Sequence, residues 1–201
     1  VQIERTALLQ HRPGGRPVGT TVITAADAAA IDSFLREMPP TSFSADVREE
    51  FADIWHTGTT FGKAFARTLV KLAGKYGLII VDPQQAELKH AAAPIYALAV
   101  TRSAEMVDGL IEQDERLAAA GFHSQVLVES DHFPLFYLDD DGTRNALKRI
   151  GDKVRIKGTR TDLSLYDIEQ LAISRPERLS PGVLLRPAVQ DHLFPTFCYV
   201  G

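Results

Sequence analysis

The feature that most constrains the fold is an uninterrupted apolar run, Leu78-Ile79-Ile80-Val81, followed at once by Asp82-Pro83. A strand without polar alternation is typical of a strand buried on both faces, and such strands lie at the centre of parallel sheets. The run therefore favours an α/β fold. We interpret Asp82 as the cap of a helix that starts at Pro83; the alternative is that it binds a ribose hydroxyl or an amine.

The residues on either side of this run are predicted to be helical. Thr24 followed by Asp27 is a capping-box pattern, Ser44 is placed to cap a second helix, and Thr59 or Thr60 a third. A long helical region is predicted from about Gln84 to Ala120. Pro94 is expected to restart that region, and Gly121 to end it. In these segments the apolar residues recur every three to four positions, which is the helical period.

The period then changes to that of strands. A first strand is predicted at Gln125 to Val128, and an antiparallel meander at Leu135 to Leu138, Arg144 to Lys148 and Lys153 to Lys157. In the last of these, Lys153, Arg155 and Lys157 alternate with Val154 and Ile156. This basic face could meet phosphate or an acidic partner, but we favour the solvated face of an antiparallel sheet. A helix is predicted at Leu165 to Ser174.

The end of the chain is predicted to return to the parallel core. Val183 to Leu185 has the composition of a buried strand and delivers Arg186 at its tip. Pro187 suits the first turn of a short helix, which Pro195 stops. Thr196 to Val200 is predicted to be a second strand.

A candidate binding site follows from this arrangement, because ligands of open α/β sheets collect at the carboxyl ends of strands. The guanidinium would lie beside an amide, a carboxylate, a hydroxyl and a phenol, which together suit an anion or a nucleotide. An equally supported alternative is that Arg186 and Asp191 form a structural ion pair. The predicted substrate-binding residues are Arg186, Gln190, Asp191, Thr196, Tyr199 and Gly201.

The predicted fold class is therefore α/β: a Rossmann-like, mainly parallel sheet with helices and a small inserted antiparallel β-meander. Residues 1–120 would hold a helical connector and part of the core, 121–180 the meander and a helix, and 181–201 the return to the core.

The composition of the chain and the motifs that it lacks argue against several classes of function. The formal net charge of −4 argues against general nucleic-acid binding. No apolar run approaches the ~18 residues of a membrane span, and the first residues do not resemble a signal peptide. One cysteine fits a reducing compartment, so we expect a cytoplasmic protein. No spacing typical of zinc ligands and no Gly-rich phosphate loop occurs, so no metal site is predicted.

The end of the chain also carries a resemblance. Its pattern LLRP-x-x-Q-D-x-x-x-P-T-x-x-Y-V-G, which ends at Gly201, resembles a segment of the bacillithiol-biosynthesis cysteine-adding ligase family. Weaker matches run through the chain in the same order; they include residues 61–67, 76–83, 92–94, 121–126 and 135–137. The resemblance implies a ligase that joins cysteine to glucosaminyl malate, on a Rossmann-like core, with a helical region beyond residue 201 that forms a homodimer. ATP or ADP is a candidate cosubstrate.

The chain also departs from the family pattern. It lacks an N-terminal Gly-Gln-Gln stretch, and it stops where the family continues. We therefore expect the middle of a longer enzyme, inactive in isolation, with its catalytic residues elsewhere. Two alternatives stay open: another nucleotidyl-transfer or adenylate-forming enzyme on a related core, and a non-catalytic dimerising or ligand-sensing module.

Overall fold

A computed structural model of the chain describes residues 17–198. The chain divides into two units, with the boundary after Asp82. Each unit has an apolar core of its own.

The first unit contains three helices, α1 (Ala25–Glu37), α2 (Ser44–Ile54) and α3 (Phe61–Ala73), with short 3-10 turns at Val18–Thr20 and Gly74–Tyr76. Its small core consists of Ile23, Ile54, Phe61 and Ala64. A single antiparallel bridge, between Val22 and Thr60, joins the segment before α1 to the start of α3.

The helix starts in this unit confirm two of the predicted caps. Thr24 and Asp27 form the predicted capping box, and the Thr60 side chain accepts a hydrogen bond from the Lys63 N–H. The prediction for Ser44 is wrong by one position, because Ser44 is the first helical residue of α2. Its hydroxyl instead accepts a hydrogen bond from the Thr41 N–H at 2.7 Å.

The second unit contains five helices and five strands in the described residues. The helical region divides into three, α4 (Ala86–Ala91), α5 (Ala93–Thr101) and α6 (Ser103–Ala119), with Pro94 in the first turn of α5. The sheet comprises β1 (His132–Leu138), β2 (Arg144–Ile150), β3 (Lys153–Ile156), β4 (Asp162–Ser164) and β5 (Leu179–Pro181). The remaining helices are α7 (Leu165–Ser174) and α8 (Arg186–Leu193), and a 3-10 turn lies at Pro176–Arg178.

The strands of the second unit form one sheet in the order β4-β3-β2-β1-β5, and every pair is antiparallel. One face of the sheet packs against α5 and α7. The sheet residues Leu135, Leu147 and Val154 are buried in this common core. On β3 the burial alternates strictly, with Val154 and Ile156 buried and Lys153 and Arg155 exposed. The predicted meander and its polar face are thus confirmed. The same face of β2 carries basic residues as well, since Lys148 is the register partner of Arg155.

The predicted mainly parallel sheet is not observed in residues 17–198. Leu78 to Val81 forms no strand, and Ile79 is 82% exposed. An apolar run becomes a buried strand only where neighbouring strands supply its hydrogen-bond partners, and among the described residues no strand lies beside this one.

Two other predicted strands, at residues 183–185 and 125–128, are also wrong, and a third is not observed in its described part. Residues 183–185 form a turn, because the N–H groups of Leu185 and Arg186 both donate to the Gly182 carbonyl and lead directly into α8. Residues 196–198, the described part of the strand predicted at Thr196 to Val200, form no strand, and Cys198 is exposed. Residues 125–128 are likewise irregular. Within the described part of the chain, no helix is long and apolar enough to cross a bilayer.

Candidate functional site

The predicted site residues lie on α8 and in the segment that follows it. Arg186 is the first residue of the helix, and its N–H donates to the Gly182 carbonyl at 3.1 Å. Gln190 lies one helical turn further on, so the two side chains share one face of α8. Both are exposed. The prediction that the helix begins at this arginine and places the amide beside it is therefore consistent with the structure.

Asp191 and Thr196 form a hydrogen bond with each other, and neither forms one with Arg186 or Gln190. The Asp191 carboxylate accepts a hydrogen bond from the Thr196 N–H at 3.2 Å, and the Thr196 hydroxyl donates to the Phe194 carbonyl at 2.7 Å. These bonds close the segment after α8. Tyr199 and Gly201, the remaining predicted site residues, lie outside the described residues.

The alternative explanation of Arg186, a structural ion pair with Asp191, is not observed. In residues 17–198 the Arg186 guanidinium forms no ion pair, and the Asp191 carboxylate is directed to the Thr196 backbone. An exposed arginine without a carboxylate partner keeps all five N–H donors for a ligand or for water.

A second arginine, which the sequence did not single out, lies near this helix. Arg144 begins β2, and its guanidinium carbon is 3.4 Å from the centroid of the Phe136 ring. Its Nε donates to the Ser180 hydroxyl at 3.3 Å, and its Nη2 donates to the Pro181 carbonyl at 2.9 Å. The side chain is half-buried and is fixed by an aromatic face and two hydrogen bonds to β5.

The two arginines are close enough to affect each other electrostatically. Burial lowers the pKa of Arg144, and the positive charge of Arg186 lowers it further. No carboxylate within residues 17–198 compensates either charge. Two uncompensated guanidinium groups repel each other, and an oxyanion bound between them would relieve that repulsion while accepting paired hydrogen bonds. We call Arg144 and Arg186 the arginine pair.

Gly182 lets the strand and the helix meet beside the Phe136 ring. Its N–H donates to the Pro134 carbonyl at 2.7 Å. A Cβ at this position would lie 3.0 Å from the same carbonyl oxygen and 3.8 Å from Cε2 of Phe136. The absence of a side chain thus permits the close approach that sets Arg186 near Arg144.

The sequence offered one usable signal for Arg144. The Asp139-to-Gly142 turn fixes the register of the first hairpin, in which Leu138 pairs with Arg144 and Phe136 with Ala146. Arg144 is thus a diagonal neighbour of Phe136 on the same face, within reach of a long side chain. Its proximity to α8 depends on β5, whose position on the far side of β1 no local pattern predicts.

No group of three or more His, Cys, Asp or Glu residues in the described part of the chain is arranged to hold a metal ion.

Comparison with known proteins gives the family context of this site. The family model described as bacillithiol biosynthesis BshC, N-terminal Rossmann-like domain, matches residues 2–201. The match spans almost the whole chain and agrees with the resemblance seen in its last residues. The matched domain is the N-terminal one of the family.

Several curated relatives carry the name "Putative cysteine ligase BshC". That of Solibacter usitatus is 32% identical over 202 residues, which cover 100% of this chain and 35% of the relative. That of Koribacter versatilis is 34% identical over 147 residues, which cover 73% of this chain and 27% of the relative. That of Chlorobaculum tepidum is 29% identical over 197 residues, which cover 98% of this chain and 35% of the relative. The chain spans about a third of the length of the curated relatives it matches.

Proposed function

The chain belongs to the family of BshC N-terminal Rossmann-like domains, and we propose on this premise that it is part of a ligase that adds cysteine to glucosaminyl malate in bacillithiol biosynthesis. The observation that carries the proposal is the family match over residues 2–201, together with the name that the relatives share. The reaction forms a carbon–nitrogen bond, and ATP or ADP remains a candidate cosubstrate.

The structure supports a role for the arginine pair in this reaction. Cysteine and glucosaminyl malate both carry carboxylates, and a nucleotide would add phosphates. Arginine forms two parallel hydrogen bonds to such groups and stays charged at any working pH. We propose that Arg186 binds an anionic substrate group, that Arg144 assists it from β2, and that Gln190 contributes its amide from the same face of α8.

The other predicted site residues would have different roles. Asp191 and Thr196 would shape the segment after α8 through the hydrogen bond between them. Tyr199 and Gly201 remain predicted substrate contacts. The catalytic residues are not assigned, and we expect residues 1–201 alone to form no product, because the chain spans only about a third of its relatives.

Several properties of the whole protein belong to the same proposal. We propose that it is a cytoplasmic homodimer that acts on small molecules, without a nucleic-acid or membrane partner. The mainly parallel Rossmann-like sheet and the division at residues 120 and 180 also stay predictions, and a parallel sheet would need strands from the rest of the protein. Light scattering and an experimental structure of the complete protein would test these points.

The direct test of function is an assay of the complete purified protein. It would be incubated with reduced cysteine and glucosaminyl malate, with and without ATP or ADP, and the cysteinylated product followed by mass spectrometry. We expect product only when both substrates are present. Absence of product under all nucleotide conditions, from protein that is folded, would contradict the proposal and favour a ligand-sensing or dimerising module.

A further inference from the structure

A cavity of about 200 Å³ lies on the sheet face that carries Arg144. The segment before β1 forms one side, and β1, β2 and the end of β3 form the rest. Its charged and polar lining consists of Glu129, Asp131, His132, Lys148 and Lys157, and two phenylalanines, Phe133 and Phe136, also line it. Typical pockets for drug-sized ligands measure about 300–1,000 Å³, so this cavity suits a smaller metabolite.

The charged groups of the lining differ in how closely they are ion-paired. Lys148 Nζ lies 2.6 Å from the Asp131 carboxylate and 3.4 Å from the Glu129 carboxylate. Asp131 is thus firmly paired, whereas Glu129 has a longer contact and a side chain that is 67% exposed. Lys157 forms no ion pair within residues 17–198. The lining therefore offers one carboxylate with spare acceptor capacity and one ammonium group without a partner.

The remaining lining adds no net charge. Burial lowers the pKa of His132, against the opposing effect of the Asp131 carboxylate, and the Lys148 charge lowers it as well. The imidazole is therefore neutral near pH 7, and the two carboxylates balance the two lysines. A ligand without net charge that has a separate anionic and cationic end is the class that matches such a lining.

The apolar lining comprises Leu127, Phe133, Phe136, Ala146 and Leu147, and within it the register partners Phe136 and Ala146 form a wall on β1 and β2. The Phe136 ring also supports Arg144, so the cavity and the arginine pair share a wall. A short, polarizable side chain would suit this surface, because sulfur makes favourable contacts with aromatic rings.

We propose that this cavity binds a free α-amino acid as its zwitterion, with the carboxylate at Lys157, the ammonium at Glu129 and the side chain against Phe136. The identification of this amino acid as cysteine rests on the proposed function. The shared wall then places cysteine beside the arginine pair, where the anionic part of the second substrate would bind.

Calorimetric titration of the 201-residue chain tests the proposal. The ligands are L-cysteine, cysteamine, which lacks the carboxylate, and 3-mercaptopropionate, which lacks the ammonium group. A Cys198→Ser background and a phosphine reductant prevent disulfide capture by the exposed Cys198. We expect saturable binding of cysteine and binding at least about tenfold weaker for each truncated ligand.

Variants assign the two ends of the ligand. We expect Lys157→Met and Glu129→Gln each to weaken cysteine binding by at least about tenfold. Lys153→Met is the matched control, because Lys153 begins the strand that Lys157 directly follows but lies outside the cavity, and this variant should bind cysteine as the parent does. Equal binding by the truncated ligands, parent-like binding by both cavity variants, or no saturable binding of cysteine would overturn the proposal.

A second measurement separates this proposal from the proposed function. If the complete protein ligates cysteine and both cavity variants keep the parent KM for cysteine, the cavity proposal is wrong and the ligase function stands. If cysteine binds the chain and depends on Lys157 and Glu129, but the complete protein forms no product, the cavity proposal stands and the ligase function fails.

Discussion

The guanidinium of Arg144 stacks on the ring of Phe136, with its central carbon 3.4 Å from the ring centroid. The same group donates hydrogen bonds to Ser180 and Pro181 on the neighbouring strand. A cation over an aromatic face contributes about 0.5–2 kcal/mol, more where it is shielded from water. The Arg144 side chain therefore connects β2, β1 and β5, and these contacts hold its positive guanidinium near α8.

We predict that Arg144→Lys lowers the free energy of unfolding by about 1 kcal/mol, because lysine cannot form the planar stack together with two directed hydrogen bonds. Denaturant unfolding should be followed by far-UV circular dichroism, since the chain's single tryptophan, Trp55, lies in the first unit. Arg160→Lys, at an exposed position, is the control and should change stability by less than about 0.5 kcal/mol. Equal effects of the two substitutions would show that the stack does not contribute.

Gly182 and Gly109 should respond in opposite directions to alanine. At Gly182 the new methyl group would meet the Pro134 carbonyl oxygen at 3.0 Å, so the β5–β1 contact must shift and stability should fall by about 1–3 kcal/mol. Gly109 lies within α6 and a Cβ there meets nothing within 4 Å, so alanine should stabilise the helix by about 0.5–1 kcal/mol. Thermal melts of both variants check the pair, and a stabilising Gly182→Ala would refute the close-approach argument.

The sequence predicted best what local interactions decide. Thr24 and Asp27 formed the expected capping box, and the predicted helix at Leu165–Ser174 has those bounds in the structure. The meander was also predictable, because its turns and alternating residues lie close together in the chain. Val154 and Ile156 show this, since their burial follows from their spacing alone.

The errors arose where structure depends on distant partners. Leu78 to Val81 has the composition of a central strand, yet hydrogen-bonded neighbours decide whether a run becomes a strand, and composition does not supply them. Val183 to Leu185 became a turn because the Gly182 carbonyl accepts two N–H groups there. Arg186 could be predicted as a candidate, but Arg144 required the position of β5, which is a non-local pairing.

Arg186→Lys distinguishes a substrate-binding arginine from a structural one. Lysine keeps the charge but loses the two-bond fork, so we expect kcat/KM of the complete enzyme to fall about tenfold or more. The melting temperature should not change, because Arg186 is exposed and forms no ion pair within residues 17–198. A fall of several degrees in the melting temperature with normal turnover of the folded protein would contradict the proposed role. Arg160→Lys again serves as the control.

Burial lowers the pKa of His132 in the folded state. In the unfolded chain the imidazole has its ordinary pKa of about 6.5, so the unfolded state takes up a proton first as the pH falls. Stability that His132 contributes above about pH 6.5 is therefore lost progressively below it. The charges of Asp131 and Lys148 also act on the ring, and Glu129 lines the same cavity. The comparison must therefore be with a variant that leaves these three side chains in place.

We expect His132→Gln to remove this part of the pH dependence. Denaturant unfolding of parent and variant between about pH 7.5 and pH 5 should show the parent losing more stability than the variant as the pH falls. The carboxylates are common to both proteins, so their contributions cancel in the difference. A difference between parent and variant that stays constant over this range would show that His132 titrates alike in the folded and unfolded chains.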